Sequence, residues 1–235
     1  FGSLSFNSTV GNAQPITEWY DRSGGNNHVL QNNVTYMPLW YSGAGVGGGR
    51  PYLYFDGTTS VMFNTDADLL NLATGDNTFI VVFESDITTN ETFGQVVAGI
   101  NTSTGLPRAG VSINNSSTYG GAGADSVSFY NENTFSNMFQ CNISSAGVTD
   151  KKIVVGRRDN ADLDIIDENG NTDTYTTASS PTDAFYFTVG GRWTGSVDYA
   201  EFKGRIHEII AYDNKISDAD RDKLIFYLKN KWNIQ

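Results

Sequence analysis

Short apolar runs broken by turn clusters recur along most of the chain. "PYLYFDG" (51–57) predicts a strand running into a tight Asp-Gly turn. "TFIVVFES" (78–85) is an unbroken apolar run rich in β-branched and aromatic residues, which predicts a strand buried on both faces. "GQVVAGI" (94–100), "AGVSIN" (109–114), "DSVSFYN" (125–131) and "KKIVVGRR" (151–158) predict further strands. "DLDIIDENGNTDTYTT" (162–177) has the pattern of a hairpin, bent at Glu168-Asn169-Gly170-Asn171. "AFYFTVGG" (184–191) and "GRIHEIIAYD" (204–213) complete the series.

The spacing of these runs suits an all-β sandwich or barrel. No alternating helix pattern supports a parallel α/β sheet. One helix stands out at the end, in "ISDADRDKLIFYLKNKW" (216–232). Ser217 is a good N-cap, with Asp220 three residues on as in a capping box. Aspartates load the first turns and Lys229 and Lys231 the last, which suits the helix dipole. Leu224, Ile225, Leu228 and Trp232 share one face, so the helix should lie against the sandwich. No linker divides the chain, and residues 1–235 are expected to form one domain.

Composition narrows the function. Hydrophobic residues make up 39% and charged residues only 17%, so Asn, Ser, Thr and Gly supply most of the polar surface. The net charge of −11 repels a phosphate backbone and disfavours nucleic-acid and anionic-membrane partners. No apolar run approaches a membrane span. Cys141 is the single cysteine, which excludes an intrachain disulfide and a Cys-rich zinc site.

Three stretches carry a family resemblance. "WYDRSGGNNHVLQ" (19–31) resembles a segment near the start of laminin-G-like jelly-roll domains of the concanavalin A-like lectin/glucanase superfamily. "YLYFDGTTS" (52–60) resembles the Phe-Asp-Gly strand end that follows it there. "FKGRIHEIIAYDNKISDADRDKLIFYLKNKW" (202–232) resembles the closing strand and C-terminal helix. The resemblance implies an antiparallel two-sheet jelly roll with the helix packed on it. It leaves function open, since the superfamily holds lectins, glycosidases, adhesion modules and viral structural domains.

The candidate chemistry is sparse. Asp21 and Ser23 can accept from backbone N–H groups just ahead of them, which makes the first stretch an architectural turn, with a calcium loop as the alternative. Asp56 belongs to the Asp-Gly turn. "GAGVGGG" (43–49) contains a dinucleotide-type glycine spacing, but Pro51 and a strand follow where a helix is required. "HEII" (207–210) lacks the second histidine of a zinc-protease motif. Glu208 is expected to share a strand face with Ile206, Ile210 and Tyr212 and, if buried, to need Arg192, Arg205 or a helix lysine as partner. Asp162, Asp164 and Asp167 mimic the Glu-x-Asp-x-x-Glu of glucanases with shorter end groups, which widens the gap required for retaining hydrolysis. The same acids are weak candidates for a structural calcium ion.

The sequence therefore favours a non-enzymatic recognition or adhesion module. Its expected partner is a glycan or a cell-surface receptor, and its expected setting is extracellular, on a cell surface or in a virion. A purely structural domain contacting neighbouring virion proteins is the alternative, and a glycoside hydrolase the second. Sugar sites pair aromatic platforms with amides and acids. That points to Trp193 with Asp198 downstream, Trp40 and Tyr41 before the glycine-rich loop, and Tyr119 with Asn115. Trp193 and at least one of Trp40, Tyr41 and Tyr119 are expected in one exposed patch.

Overall fold

The computed structural model describes residues 13–43, 49–65, 76–86, 94–101, 107–113, 126–134, 137–144, 150–160, 162–176, 185–193 and 201–235. They form two antiparallel eight-stranded sheets packed as a jelly-roll sandwich, with a C-terminal helix on one of them.

Sheet A runs in the order β1 (Gln14–Pro15), β4 (Leu39–Tyr41), β5 (Tyr52–Asp56), β16 (Lys203–Tyr212), β7 (Asn77–Ser85), β12 (Lys152–Asp159), β13 (Asp162–Asp167) and β14 (Thr172–Thr176). Sheet B runs β11 (Asn137–Ser144), β10 (Ser126–Thr134), β9 (Pro107–Ile113), β8 (Gly94–Asn101), β15 (Phe185–Val189), β6 (Met62–Asn64), β3 (Val29–Leu30) and β2 (Glu18–Trp19). The helix α1 spans Asp218–Trp232.

The β7 strand shows why an unbroken apolar run is needed at the centre of sheet A. Its Phe79, Val81 and Phe83 enter the core between the sheets. The alternate residues Ile80 and Val82 face the other way, into a second cluster under α1 with Ile153, Val155, Ile210, Leu228 and Trp232. The helix is capped as its sequence dictates: the Ser217 hydroxyl accepts from Asp220 N–H, and Asn233 ends it in the left-handed conformation. The hairpin bends after Asp167, whose Oδ1 accepts from Asn169 and Asn171 N–H, both at 2.9 Å.

One expectation of face is corrected. Ile206 lies in the core between the sheets, whereas Glu208, Ile210 and Tyr212 face the helix. The cause is a β-bulge: Ile206 pairs with Phe83 and Glu208 with the next residue, Val82, leaving His207 as the extra residue. The bulge turns both His207 and Glu208 outward. Among the described residues no helix is long and apolar enough to cross a membrane.

Candidate functional site on the outer face of sheet B

Alternation along the central strands of sheet B sorts their side chains. Val97, Val111, Ile113, Val127, Phe129, Phe187 and Val189 point into the core. The face turned away from sheet A therefore carries Gln95, Ser112, Ser126, Ser128, Tyr130 and Thr188, and all are buried. Register aligns them in transverse rows. Ser128 pairs with Ser112, and Ser112 with Gln95. Beside them, Tyr130 pairs with Gly110, Gly110 with Ala98, Ala98 with Thr188, Thr188 with Phe63, and Phe63 with Leu30.

Tyr130 and Gln95 interact across the intervening strand. Gln95 Nε2 donates to the Tyr130 hydroxyl oxygen at 2.9 Å. The close approach depends on Gly110, where a Cβ would lie 2.1 Å from the Val97 carbonyl oxygen and 3.1 Å from the Tyr130 hydroxyl. Gln95 Oε1 and Ser112 Oγ are buried without a hydrogen-bond partner in the protein. Buried polar atoms are rarely left this way.

The far end of the face is aromatic. Trp193 stacks on Phe63 with ring centroids 4.9 Å apart and planes 7° from parallel. Tyr36 meets Trp193 edge-on at 5.5 Å. Trp193 and Phe63 are half-buried, as is Tyr186, two residues before Thr188 on the same side of β15. A polar floor and an aromatic rim thus share one face.

No protein-family model matches the chain. No curated protein matches it either. Solved structures do. The CBM40 of Ruminococcus gnavus IT-sialidase, determined with α2,3-sialyllactose, has a TM-score of 0.56 at 15% identity over 74% of this chain and 96% of its own. Domain 4 of AbnA, a GH43 extracellular arabinanase from Geobacillus stearothermophilus determined with arabinotriose, has a TM-score of 0.57 at 13% identity over 80% of this chain and 81% of its own. The botulinum neurotoxin serotype D/C binding domain has a TM-score of 0.54 at 12% identity, over 93% of this chain and 48% of its own. The chain has their fold. At these identities the likeness extends to the β-sandwich alone.

Among the described residues, Trp193, Trp40 and Tyr41 do not gather in one place. Trp193 lies on the sheet B face. Tyr41 lies on the outer side of sheet A, stacked on Tyr52 at 5.0 Å. Trp40 is corrected as a platform: it is buried in the core, opposite Leu53, because alternation along β4 turns it inward when Tyr41 faces out. Asn115, Tyr119 and Asp198 lie outside the described residues.

The aspartates of β13, weak candidates for calcium, each have different partners. Asp162 is exposed and accepts from the Thr176 hydroxyl at 2.7 Å. Asp164, on the helix side, accepts from Arg157 Nε at 2.7 Å and lies 3.2 Å from Lys215 Nζ. Asp167 caps the hairpin. Among the described residues no acidic or histidine cluster is arranged to hold a metal ion.

The remaining acids shape turns and the helix seat. Asp21 accepts from Ser23 and Asn27 N–H, at 2.7 and 3.0 Å, and from the Ser23 hydroxyl at 2.8 Å. Partial burial pushes its pKa up, and these donors outweigh that and hold it below the usual carboxylate value. Asp56 Oδ1 accepts from the N–H groups of Thr58, Thr59 and Ser60, and its pKa is likewise held low. Glu208 is fully buried between Lys231 Nζ at 2.8 Å and the Trp232 indole N–H at 2.7 Å.

Sequence reasoning passed over Gln95, Ser112, Ser128, Tyr130 and Tyr186. Their alternation with Val111, Val127 and Phe129 is visible in "AGVSIN" and "DSVSFYN". It marks a second face but does not reveal that this face is buried.

Proposed function

We propose that this domain is a non-catalytic glycan-binding module acting outside the cell or at a cell surface, with its ligand seated on the outer face of sheet B. One observation carries the reading: Trp193, Phe63 and Tyr186 form a half-buried aromatic rim on that face, with Trp193 stacked on Phe63. The chemistry of this rim is complementary to a sugar. A pyranose presents an apolar C–H face that stacks on an aromatic ring. Its hydroxyls each donate once and accept as well. Tyr186, half-buried on the same face, carries a hydroxyl that can both donate and accept. The glycan-bound states of the CBM40 and of the arabinanase domain support the reading by analogy of fold. Against catalysis stand the β13 aspartates, tied to Thr176, Arg157 and the hairpin turn.

The test is a glycan array followed by calorimetry on the best ligand. Trp193→Ala is expected to weaken binding about ten-fold or more while the circular dichroism spectrum of the folded chain is retained, one decade being about 1.4 kcal/mol of lost stacking. Tyr186→Ala should weaken it as well. A silent array, or binding untouched by both substitutions, overturns the proposal. Turnover of any glycan on a β-glucan panel overturns its non-catalytic part.

A further inference from the structure

Among the described residues the largest fully buried side chain is a cation, Arg158. Along β12, Val154 and Gly156 point into the sandwich, and a Cβ on Gly156 would lie 2.3 Å from the Phe129 ring of sheet B. Alternation sends Arg158 the same way, while its neighbour Arg157 faces the helix side and pairs with Asp164 and Asp218. The register sets Arg158 directly opposite Asn77 of β7. Both residues are fully buried.

Their hydrogen bonding is incomplete in a consistent way. Arg158 Nε donates to the Asn160 carbonyl oxygen at 2.9 Å. Both terminal guanidinium nitrogens lack a hydrogen-bond partner in the protein, and so do Asn77 Nδ2 and Oδ1. The nearby carboxylate of Asp76 accepts from Asn160 N–H at 2.8 Å. Among the described residues Arg158 forms no ion pair.

A guanidinium does not shed its proton to escape burial. An uncompensated buried charge costs several kcal/mol, and native proteins pair such charges. The terminal nitrogens of Arg158 bring four N–H donors, and the Asn77 amide adds two more beside them. Donors dominate the site; the Asp76 carboxylate acts on Arg158 through space without a hydrogen bond and leaves the terminal nitrogens unanswered, which leaves room for no more than a single negative charge. Full enclosure between packed sheets selects a small, weakly hydrated species over a divalent oxyanion.

We propose that Arg158 and Asn77 hold one small monovalent anion of the halide class between the two sheets. The anion accepts from the unanswered N–H groups at the end of β7 and β12 and thereby stabilises the sandwich. The assignment is independent of glycan binding on sheet B.

The experiment measures thermal unfolding of the full chain after exhaustive dialysis into sodium gluconate, then with sodium chloride exchanged in at constant ionic strength. Gluconate is too large for an enclosed site. The melting temperature is expected to rise by an equal step for each tenfold rise in chloride once the site saturates. Arg158→Leu removes that dependence, and Asn77→Ala weakens it should the leucine variant fail to fold. A crystal grown in sodium bromide is expected to show an anomalous-scattering peak within hydrogen-bonding distance of Arg158 and Asn77. Equal melting temperatures in chloride and gluconate, a chloride response unchanged in the variants, or a bromide peak absent from this place each overturn the proposal.

Discussion

The indole N–H of Trp232 donates to Glu208 Oε2 at 2.7 Å, which ties the last turn of the helix to the bulged strand beneath it. Lys231 takes the other oxygen at 2.8 Å. Glu208 is fully buried, so its charge depends on these two partners. Glu208→Ala leaves the indole donor unanswered and the lysine without its partner. Urea denaturation should report a loss of about 3–5 kcal/mol. A loss below about 1 kcal/mol would mean that apolar contacts alone seat the helix.

A pH dependence follows from the neighbouring His207. It is buried between Tyr52 and Trp232, with Nε2 2.9 Å from Glu84 Oε1. Burial drives its pKa below the ordinary 6.5, against the pull of the Glu84 carboxylate. The unfolded chain then takes up the proton more readily than the folded one. The associated stability is complete above the unfolded value of about 6.5 and falls as the pH drops below it towards the folded pKa. Stability of the native chain should therefore decline between about pH 7 and pH 5, and His207→Asn should flatten that slope. Parallel slopes for the two proteins would disprove the assignment. The Glu84 carboxylate is itself lowered, with burial opposing and His207, Lys151 and Arg205 outweighing it. Its contribution is lost only in the more acid window below its ordinary 4.5.

The β13 aspartates should separate under mutation. Asp164 satisfies the buried Arg157, and Asp164→Ala is expected to cost about 2–4 kcal/mol. Asp162 is exposed on the edge of the hairpin, and Asp162→Ala should stay within about 0.5 kcal/mol. Neither loss should depend on calcium, so melting curves in calcium and in chelator should superimpose. A calcium-dependent rise in melting temperature that both substitutions abolish would restore a metal site here.

Gly110 tests the packing of the sheet B face without removing a polar side chain. A Cβ there meets the Val97 carbonyl oxygen at 2.1 Å, inside any contact distance, and the β8–β9 pairing must shift to admit it. Gly110→Ala should destabilise the domain by about 1–3 kcal/mol or more and disturb the Gln95–Tyr130 hydrogen bond. Unchanged stability would mean that this part of the sheet packs more loosely than the structure has it.

The sequence carried the sandwich because its signals are local. The unbroken apolar stretch of β7, the Ser217 cap and the Asp167 bend each depend on neighbouring residues, and each is legible in a single window. The candidate site depends on which strands lie side by side. Gln95, Ser112 and Tyr130 come from separate strands, and only their register makes them one surface. His207 hid a further fact, since one inserted residue reverses the side from which Ile206 and Glu208 are seen. Trp40 and Tyr41 are adjacent aromatics, and nothing in the sequence says which of the pair turns inward.

The position of β16 bears on how the protein is made. β16 is hydrogen-bonded on one side to β5 and on the other to β7, two strands that precede it by more than a hundred positions in the chain. A growing polypeptide that has not yet reached residue 203 therefore holds both strands with their inner edges open. Sheet A is completed only when its late-made central strand slots between two earlier ones. During synthesis the early segments wait as unpaired edges, the state in which β proteins are most exposed to aggregation and to capture by chaperones. Folding is consequently a closing event that waits for residues 203–212 to be made, slow for a chain whose contacts are so distant in sequence.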